Sequence, residues 1–296
     1  MGNIQSELIN NTMSTLTSYA SAAARDSAAP AASNTGLCIF RSDTNAIEVS
    51  DGTNYLTYNS DGVGVTYPSN SYSASFDGIN DYIDTNEAFN FIQQTCEFTV
   101  TCWLKFTNHA STAANQFILG STNTGSQVGM MLWYDNRSST GSNKILRAMV
   151  SPDTSATGDV YVNVNDGITD NNWHHIAVTG SGSGGTLKMY RDGSLIGSTS
   201  GLTTTTNTSL HDMLFAATGT TPAGFFGGNL DEVAIFNREL TSSEIDKIRS
   251  SPYSYVGATS IYRFENNAND SVGTNNGTNF NAAFVDKATD STNTPY

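Results

Sequence analysis

The feature that most constrains the fold is a series of short segments in which apolar and polar residues alternate. Such alternation places successive side chains on opposite faces of a strand. Residues typical of tight turns, mainly Gly, Asn and Asp, separate the segments. The clearest segments are Phe98–Phe106, Gln116–Gly120, Val128–Tyr134, Ile145–Val150, His175–Thr179 and Thr186–Ile196. Regularly spaced strands with polar turns predict a β-sandwich or jelly roll.

The composition agrees with a β protein and argues against two kinds of partner. Only 14% of residues are charged, and the 27 acidic residues outnumber the 13 basic ones, for a net charge of −14. Nucleic-acid affinity depends on Lys and Arg neutralising phosphates, so we expect no nucleic-acid partner. No apolar run approaches the roughly 18 residues that span a bilayer, and the N-terminus does not read as a secretion signal. We therefore expect no membrane insertion.

The chain has three cysteines, Cys38, Cys96 and Cys102. Cys96 and Cys102 fall in one predicted strand, where six residues at roughly 3.3 Å each separate them by about 20 Å. That separation exceeds the reach of a disulfide, so we expect free thiols in a reducing compartment. Separately, Met1–Ser6 fits a short N-myristoylation pattern that would acylate Gly2. An ordinary helix start is the alternative interpretation of that segment.

Residues 1–35 predict a helix followed by a linker. Apolar residues recur at spacings of three and four from Ile4 to about Arg25, which is typical of an amphipathic helix. The stripe contains Ile4, Leu8, Ile9, Met13, Leu16, Ala20 and Ala23. A short helix needs packing to persist, so we expect this segment to anchor or oligomerise the chain. A disordered tail is the alternative, and residues 22–35, with Pro30, are typical of a linker.

Residues 36–70 predict a β-hairpin or short meander. Two alternating runs lie between Gly36 and Tyr58, with turn residues at Asp43–Asn45 and again at Asp51–Gly52. The order of a strand, a Thr-Asn turn, an Ile-Glu-Val strand, an Asp-Gly turn and an aromatic resembles a small repeat of tailed-phage virion structural proteins. This resemblance implies a virion-anchoring segment ahead of a distal domain, frequently in a trimer.

Residues 71–250 contain three longer motifs in a fixed order. Ser73–Ile83 carries Phe-Asp-Gly, Trp173–Val178 reads Trp-His-His-Ile-Ala-Val, and Gly228–Leu240 carries Asn-Leu-Asp-Glu-Val-Ala-Ile-Phe. Tyr190–Gly197 fits a Tyr-x-Asp-Gly-x-x-x-Gly pattern, in which Asp-Gly predicts a type I′ turn. After Asn237 the period changes to that of a short helix. In this order the motifs resemble a laminin G-like, concanavalin A-like jelly roll.

The predicted fold class is therefore all-β, a concanavalin A-like jelly-roll sandwich with a short N-terminal helix and a β-hairpin arm. Residues 251–296 resemble the opening strand and loop of the same family, although here they follow the closing helix. We expect this tail to complete the sandwich, because an orphan apolar strand is an aggregation hazard. Pairing with a neighbouring subunit is the alternative.

Glycoside hydrolases that resemble this fold class use two carboxylates on one strand. The only Glu-x-Asp sequence, Glu244–Asp246, falls on the predicted helix. We therefore expect a protein without enzymatic activity. Four aromatic residues at or near loops are candidates for stacking on sugar faces, with burial in the core as the alternative: Tyr134, Tyr161, Phe225 and Phe226.

Calcium is the cofactor that the laminin G-like resemblance most often implies, bound by Asp, Asn and carbonyl oxygens on loops. The candidate ligands are Asp77, Asn80, Asp81 and Asp231. Asp and Asn are also common turn formers, and that interpretation stays open. His174 and His175 are adjacent, so on a strand they face opposite sides and do not chelate one metal.

Together these features predict a non-enzymatic phage virion structural protein, as a capsid decoration protein, head fibre or tail-associated appendage. Its localisation would be the virion, assembled in the host cytoplasm. Its partners would be copies of itself, as a trimer, other capsid or tail proteins, and host-surface glycans during attachment. A free carbohydrate-binding or adhesion module of a bacterial surface protein is the alternative, and a glycoside hydrolase is the third hypothesis.

Overall fold

The computed structural model divides the chain into two compact units, Met1–Ser69 and Asn70–Tyr296. The residues that it describes are 18–19, 27, 38–41, 46–50, 55–58, 64–65, 70–107, 115–122, 128–135, 145–152, 158–165, 168, 170–206, 211–250 and 255–286.

The N-terminal unit contains a sheet of five short strands. They are β1 (Ser18–Tyr19), β2 (Cys38–Arg41), β3 (Ala46–Ser50), β4 (Tyr55–Tyr58) and β5 (Gly64–Val65). Strands β2 to β5 pair in sequence as an antiparallel meander, and β1 lies parallel to β2. The meander predicted within residues 36–70 is therefore present.

The prediction of a helix as far as Arg25 is wrong at Ser18–Tyr19. These two residues form β1, opposite Phe40 and Arg41 of β2. A weak, Thr- and Ser-rich helical stripe is overridden here by hydrogen bonding to the edge of a sheet. The proposed anchoring residues Ile4, Leu8, Ile9, Met13 and Leu16, like Gly2, lie outside the described residues.

The described residues of the second unit form a sandwich of fifteen strands with two short helices. Its first seven strands are β6 (Tyr72–Asp77), β7 (Tyr82–Asp84), β8 (Glu97–Phe106), β9 (Asn115–Gly120), β10 (Gly129–Asp135), β11 (Ile145–Ser151) and β12 (Val160–Val164). The remaining strands are β13 (His174–Ser181), β14 (Thr186–Arg191), β15 (Ser194–Ser200), β16 (Leu214–Phe215), β17 (Gly227–Phe236), β18 (Ser260–Tyr262), β19 (Thr278–Phe280) and β20 (Ala283–Asp286). The helices are α1 (Phe91–Gln94) and α2 (Ser242–Ser250).

These strands form two antiparallel sheets. The seven-stranded sheet has the order β12-β11-β10-β9-β16-β7-β19, and the eight-stranded sheet has the order β15-β14-β13-β8-β17-β6-β20 with β18 also paired to β17. The main hydrophobic core lies between them and includes the large buried residues Phe98, Phe106, Phe215, Phe226 and Tyr262. The predicted all-β jelly-roll sandwich is confirmed.

The turn predicted at Asp192–Gly193 is also confirmed. Asp192 has φ of 51° and Gly193 φ of 83°, the positive values that a type I′ hairpin between β14 and β15 requires. The backbone N–H of His175 donates to Asp192 Oδ1 at 2.9 Å, which ties the turn to the start of β13.

Helix α2 covers the outer face of the eight-stranded sheet, the face turned away from the main core. Ile245 and Ile248 of the helix are buried with Ala177, Phe236 and Ile261 of the sheet in a second apolar cluster. The helix begins with a capping box. The Glu244 backbone N–H donates to Thr241 Oγ1 at 3.3 Å, while the Thr241 N–H donates to Glu244 Oε2 at 2.8 Å.

The C-terminal tail supplies three strands to the sandwich of its own chain. Strand β18 pairs with β17, β19 with β7, and β20 with β6. A polar network holds the tail where β17 bulges between Asp231 and Ala234. There Arg263 Nη1 donates to both carboxylate oxygens of Glu232, at 3.0 and 3.1 Å. The tail thus completes both sheets.

Cys96 and Cys102 are free and buried. Burial raises the pKa of Cys96 to about 11 and that of Cys102 to about 12, so both thiols stay protonated at neutral pH. The side chain of Cys38 lies outside the described residues. Within the described part of the chain, none of the helices combines the length and the apolar character needed to cross a bilayer.

Candidate functional site

A cavity of about 410 Å³ lies on the outer face of the seven-stranded sheet. Three aromatic side chains line it, those of Phe117, Trp133 and Tyr161, together with Met131 and Met149. Its polar lining residues are Asn115, Thr122, Arg147 and Thr218. The α2 helix covers the corresponding face of the other sheet, whereas this face carries an aromatic depression.

The strand register explains why these residues meet. Along β10, Met130, Leu132 and Tyr134 belong to the main core, so the alternate residues Met131 and Trp133 face outward. Trp133 lies opposite Phe117 of β9 and Arg147 of β11. Met149 of β11 lies opposite both Met131 of β10 and Tyr161 of β12. Four adjacent strands therefore build the cavity floor.

The aromatic rings of the cavity centre on Trp133. The Phe117 ring lies 6.0 Å from the Trp133 ring at an interplanar angle of 32°, and the Tyr161 ring lies 6.5 Å away at 76°. The Arg147 guanidinium lies 5.9 Å from the Trp133 ring centroid, within the range of a cation–π contact. Trp133 itself is only 5% exposed, so its neighbours hold its orientation.

A glycine permits the position of Phe117. At Gly224 φ is +66°, and a Cβ atom there would overlap the Phe117 ring. The Phe117 N–H donates to the Gly224 carbonyl at 2.7 Å, and Phe117 forms an isolated parallel bridge with Phe225. Gly224 thereby fixes one wall of the cavity and joins it to the segment that leads into β17.

Arg147, the charged residue of the described lining, is paired. Arg147 Nη2 lies 3.1 Å from Asp135 Oδ2, and the Asp135 side chain is completely buried. The Tyr161 hydroxyl donates to Asp159 Oδ2 at 2.9 Å. Burial and this carboxylate raise the pKa of Tyr161 to about 12, so the phenol is neutral. The cavity thus has polar groups and little net charge.

Several polar atoms at the cavity have no hydrogen-bond partner within the described ranges. They are Asn115 Oδ1, Trp133 Nε1 and Arg147 Nε, all buried. A buried polar group without a partner costs about 1–3 kcal/mol, so native proteins usually satisfy it. Three such groups lie around this one depression.

The structure separates the four aromatic residues that the sequence suggested. Tyr161 lines the cavity, and Phe225 lies beside it through its bridge to Phe117. The predictions for Tyr134 and Phe226 are wrong, because both side chains are 0% exposed in the main core. Their place in the alternation turns both rings away from the outer face.

Phe117, Trp133 and Arg147 were missed as site residues. The available signal was the alternation along β10 and β11, which puts Trp133 and Arg147 on the face opposite Tyr134. That signal is weak, because Gly129–Tyr134 contains no charged residue to mark its outer face.

The four candidate calcium ligands do not form one set. Asp77, Asn80 and Asp81 share a turn, in which Asp77 Oδ1 accepts the Ile79 and Asn80 N–H groups and Asp81 Oδ2 accepts the Asp77 N–H. Asp231 is buried on β17, four residues beyond Gly227, the partner of Asp77. Four strand residues correspond to ~13 Å, so the prediction that groups Asp231 with this turn is wrong.

No cluster of three or more His, Cys, Asp or Glu side chains suited to a metal occurs among the residues that the structure describes. The adjacent histidines differ in environment. His174 contacts Asp192 Oδ2 at 2.8 Å and Asp170 Oδ1 at 3.0 Å, and the Asp192 hydrogen bond contributes most to its raised pKa. Burial lowers the pKa of His175 to about 3, so it is neutral inside the fold.

Residues 77–246, more than half of the chain, match the family described as the Concanavalin A-like lectin/glucanases superfamily. The chain belongs to this superfamily. Membership of the lectin/glucanase superfamily accounts for the two antiparallel sheets and for the motifs from Phe76-Asp77-Gly78 to the α2 helix. None of the curated protein sequences matches this chain.

Three solved structures are similar to this chain. A candidate carbohydrate-binding protein from Bacteroides ovatus is 16% identical with a TM-score of 0.53, over 73% of this chain and 60% of that chain. The CBM40 of the Ruminococcus gnavus IT-sialidase is 16% identical with a TM-score of 0.45, over 60% and 93%. A heptameric SAP-like pentraxin from Limulus polyphemus is 13% identical with a TM-score of 0.44, over 61% and 82%. This chain thus spans 60% of the length of the Bacteroides ovatus protein, and that likeness, at 16% identity, establishes the fold alone.

Proposed function

We propose that the sandwich is a non-catalytic carbohydrate-binding domain and that the cavity around Trp133 holds the sugar. The observation that carries this proposal is the combination, in one depression, of an aromatic floor and buried polar atoms without partners. Binding sites for small molecules are typically apolar hollows with a few placed polar groups. The name of the Bacteroides ovatus structure, a candidate carbohydrate-binding protein of the same fold, supports the choice of ligand.

The chemistry of a sugar fits both parts of the lining. One face of a pyranose ring presents C–H groups, which pack on an aromatic ring such as that of Trp133 or Tyr161. The hydroxyl groups at the ring edge both donate and accept hydrogen bonds. The hydroxyl groups would donate to Asn115 Oδ1 and accept hydrogen bonds from Trp133 Nε1 and Arg147 Nε.

Binding is a better assignment than hydrolysis for this cavity. A glycoside hydrolase uses two carboxylates about 5 to 10 Å apart at the sugar bond. The described lining has none, since it consists of aromatic, Met, Thr, Asn and Arg residues. Asp135, the acid nearest in register, is completely buried and paired with Arg147. The Glu244–Asp246 sequence lies on α2, on the other sheet.

The charge of the site favours an uncharged sugar. Arg147 is the only cation in the described lining, and Asp135 already neutralises it. Asp159 adds a carboxylate beside Tyr161, and the chain as a whole carries −14. An acidic sugar would enter against this field, whereas a neutral one pays no such electrostatic cost.

Trp133→Phe is the variant that tests this site. It keeps an apolar ring but removes the indole N–H and part of the stacking surface. We expect the affinity for the best neutral ligand of a glycan array to fall at least about tenfold, which is ~1.4 kcal/mol. Titration calorimetry with that ligand provides the measurement.

Trp103→Phe is the matched control for this substitution. Trp103 is 6% exposed against 5% for Trp133, but it lies on β8 and packs at a ring distance of 5.3 Å on His175 of β13. We expect this variant to bind as the unchanged protein does. If the unchanged protein binds no glycan, or if both Trp variants bind equally well, the cavity is not a sugar site.

We also propose that the N-terminal unit displays this domain on a virion, as a capsid decoration protein, head fibre or tail-associated appendage. The support is the phage-like pattern in residues 36–70 and the compact sheet that β2 to β5 form ahead of the sandwich. Host-surface glycans would then be the ligands. A free adhesion module of a bacterial surface protein is the competing assignment.

The mass of the full-length chain distinguishes these assignments. Virion appendages of this kind are expected as trimers, so light scattering should give three times the chain mass of 31.5 kDa. A monomer under the same conditions would remove the trimer proposal and favour the adhesion module.

A further inference from the structure

A second group of aromatic side chains lies on the same sheet as the cavity. The rings of Tyr82 and Phe280 are stacked with centroids 4.4 Å apart at an interplanar angle of 9°. The ring of Phe225 lies 6.4 Å from that of Tyr82 at 39°. Phe280 is 39% exposed, which makes it one of the few large apolar side chains in the described ranges that are more than a third exposed. These three residues are called the far cluster.

The far cluster occupies the same outer face as the cavity. Ile83 belongs to the main core, so its neighbour Tyr82 on β7 faces outward. Phe280 of β19 lies directly opposite Tyr82, and directly opposed residues share a face. Phe226 is in the main core, so Phe225 faces the other way.

The two groups adjoin through Phe117 and Phe225. Phe117 is a wall of the cavity, and it forms the parallel bridge with Phe225 of the far cluster. In the sheet order, four strand intervals separate β10, which carries Trp133, from β19, which carries Phe280. At about 4.8 Å per interval the aromatic row is ~19 Å long from Trp133 to Phe280. This length exceeds one sugar ring several times.

The residues around the far cluster are acidic. Asp84 lies on the outer face of β7 and, after burial, is a cause of the raised pKa of Tyr82. Burial, followed by Asp84 and Glu87, raises the pKa of Asp212, which precedes β16. This end of the row, like the cavity, therefore disfavours an anionic ligand.

We propose that the cavity and the far cluster form one elongated site for an uncharged oligosaccharide that crosses the strands of the seven-stranded sheet. The inference rests on the proposed sugar-binding function of the cavity and adds to it the length of the ligand. Trp133, Phe117 and Tyr161 hold one end of the chain, and the Tyr82–Phe280 stack offers a flat surface to the other. The domain thus binds several consecutive sugars of one chain and binds them more tightly than a single sugar.

Phe280→Leu tests the elongated site with little risk to the fold. Leu keeps an apolar contact with Tyr82 but removes the flat ring. The probe is a neutral gluco-oligosaccharide series from disaccharide to hexasaccharide, in the linkage that the unchanged protein binds best, measured by titration calorimetry. The unchanged protein should gain at least about tenfold in affinity along the series, ~1.4 kcal/mol. Phe280→Leu should lose most of that gain and bind the disaccharide normally.

Leu195→Ala is the control for an exposed apolar side chain away from the row. Leu195 is 54% exposed on β15, at the edge of the eight-stranded sheet, and its loss should change no affinity in the series. Thermal unfolding of both variants verifies that the sandwich is intact.

The outcomes separate the two proposals. If Phe280→Leu follows the unchanged protein at every length while Trp133→Phe weakens all ligands, the cavity stands and the elongated site is overturned. If affinity does not rise with chain length at all, the elongated site is likewise overturned. If the unchanged protein binds no member of any neutral series, the proposed function fails, and the elongated site fails with it.

Discussion

Glu232→Gln should lower the free energy of unfolding by about 3–5 kcal/mol, the usual result of breaking a buried ion pair from one side. Glu232 is completely buried, and Arg263 is 11% exposed. Asn70 Nδ2 donates a third hydrogen bond to this carboxylate, at 3.0 Å. Gln has the same shape but no charge, so the almost buried guanidinium would lose the charge of Glu232.

The network matters because of the elements that it joins. Asn70 begins the second unit, Glu232 lies in the bulge of the central strand β17, and Arg263 follows the tail strand β18. The Arg263 guanidinium also lies 5.5 Å from the Tyr255 ring centroid. Loss of the charge on Glu232 therefore loosens the contact between the tail and the central strand.

Asp246→Asn is the matched control, because it breaks an ion pair that faces water. The Asp246–Arg249 pair on α2 has side-chain exposures of 57% and 35%. Exposed pairs contribute about 0–1 kcal/mol, so this variant should unfold at nearly the same urea concentration as the unchanged protein. Equal losses in the two variants would show that the Glu232 charge is not the stabilising feature.

Phe226→Ala should lower the free energy of unfolding by about 3–5 kcal/mol, as expected for a large aromatic side chain removed from a core. The Phe226 ring is 0% exposed and packs against the Phe106 ring at 5.1 Å and 73°. The substitution opens a cavity between the sheets. Urea unfolding followed by circular dichroism measures the loss.

The neighbouring variant Phe225→Ala should behave in the opposite way. Phe225 is partly exposed on the outer face, so Phe225→Ala should lower the free energy of unfolding less than Phe226→Ala does. It should lower the affinity for long neutral oligosaccharides more. Phe226→Ala should keep the affinity of the unchanged protein under conditions in which the variant is folded. A Phe225→Ala variant that is the less stable of the two would contradict the assignment of faces.

The sequence predicted the sandwich well because its strands are long and their turns are distinct. Phe98–Phe106 and His175–Thr179 alternate clearly. The first segment lies within β8 and the second within β13. The Asp192–Gly193 turn was predicted because Asp-Gly is suited to positive φ. Local chemistry determined these elements, so a local pattern was sufficient to find them.

The site was much harder to predict, for a physical reason. In β10 both faces are apolar, one for the core and one for the cavity, so Gly129–Tyr134 gives no sign of which residue faces where. If the assignment of faces is shifted by one residue, Tyr134 instead of Trp133 is predicted to face outward. The sequence also could not show that β9, β10, β11 and β12 would be neighbours, because strand order depends on tertiary pairing.

The predicted extent of the N-terminal helix was wrong at Ser18–Tyr19 for a related reason. A stripe of apolar residues at helical spacing is a weak preference, and pairing with an existing strand overrides it at Ser18–Tyr19. The Asp231 grouping failed because the sequence does not show which residue of β17 pairs with Asp77. Gly227 does, and Asp231 lies four residues farther along the strand. Both errors concern contacts between elements rather than the elements themselves.

The pairing of β20 with β6 has a consequence for how this domain can be transferred between proteins. Tyr72 and Asp286, near the two ends of the sandwich, are direct partners in adjacent antiparallel strands. A polypeptide that enters and leaves a domain at neighbouring points can carry it as an insertion in one of its own loops. The two ends of the domain can also be joined to each other and new ends opened in another loop, as in a circular permutation. The face that we propose to bind sugar would then move with the domain as one unit, inserted into a loop of the host polypeptide.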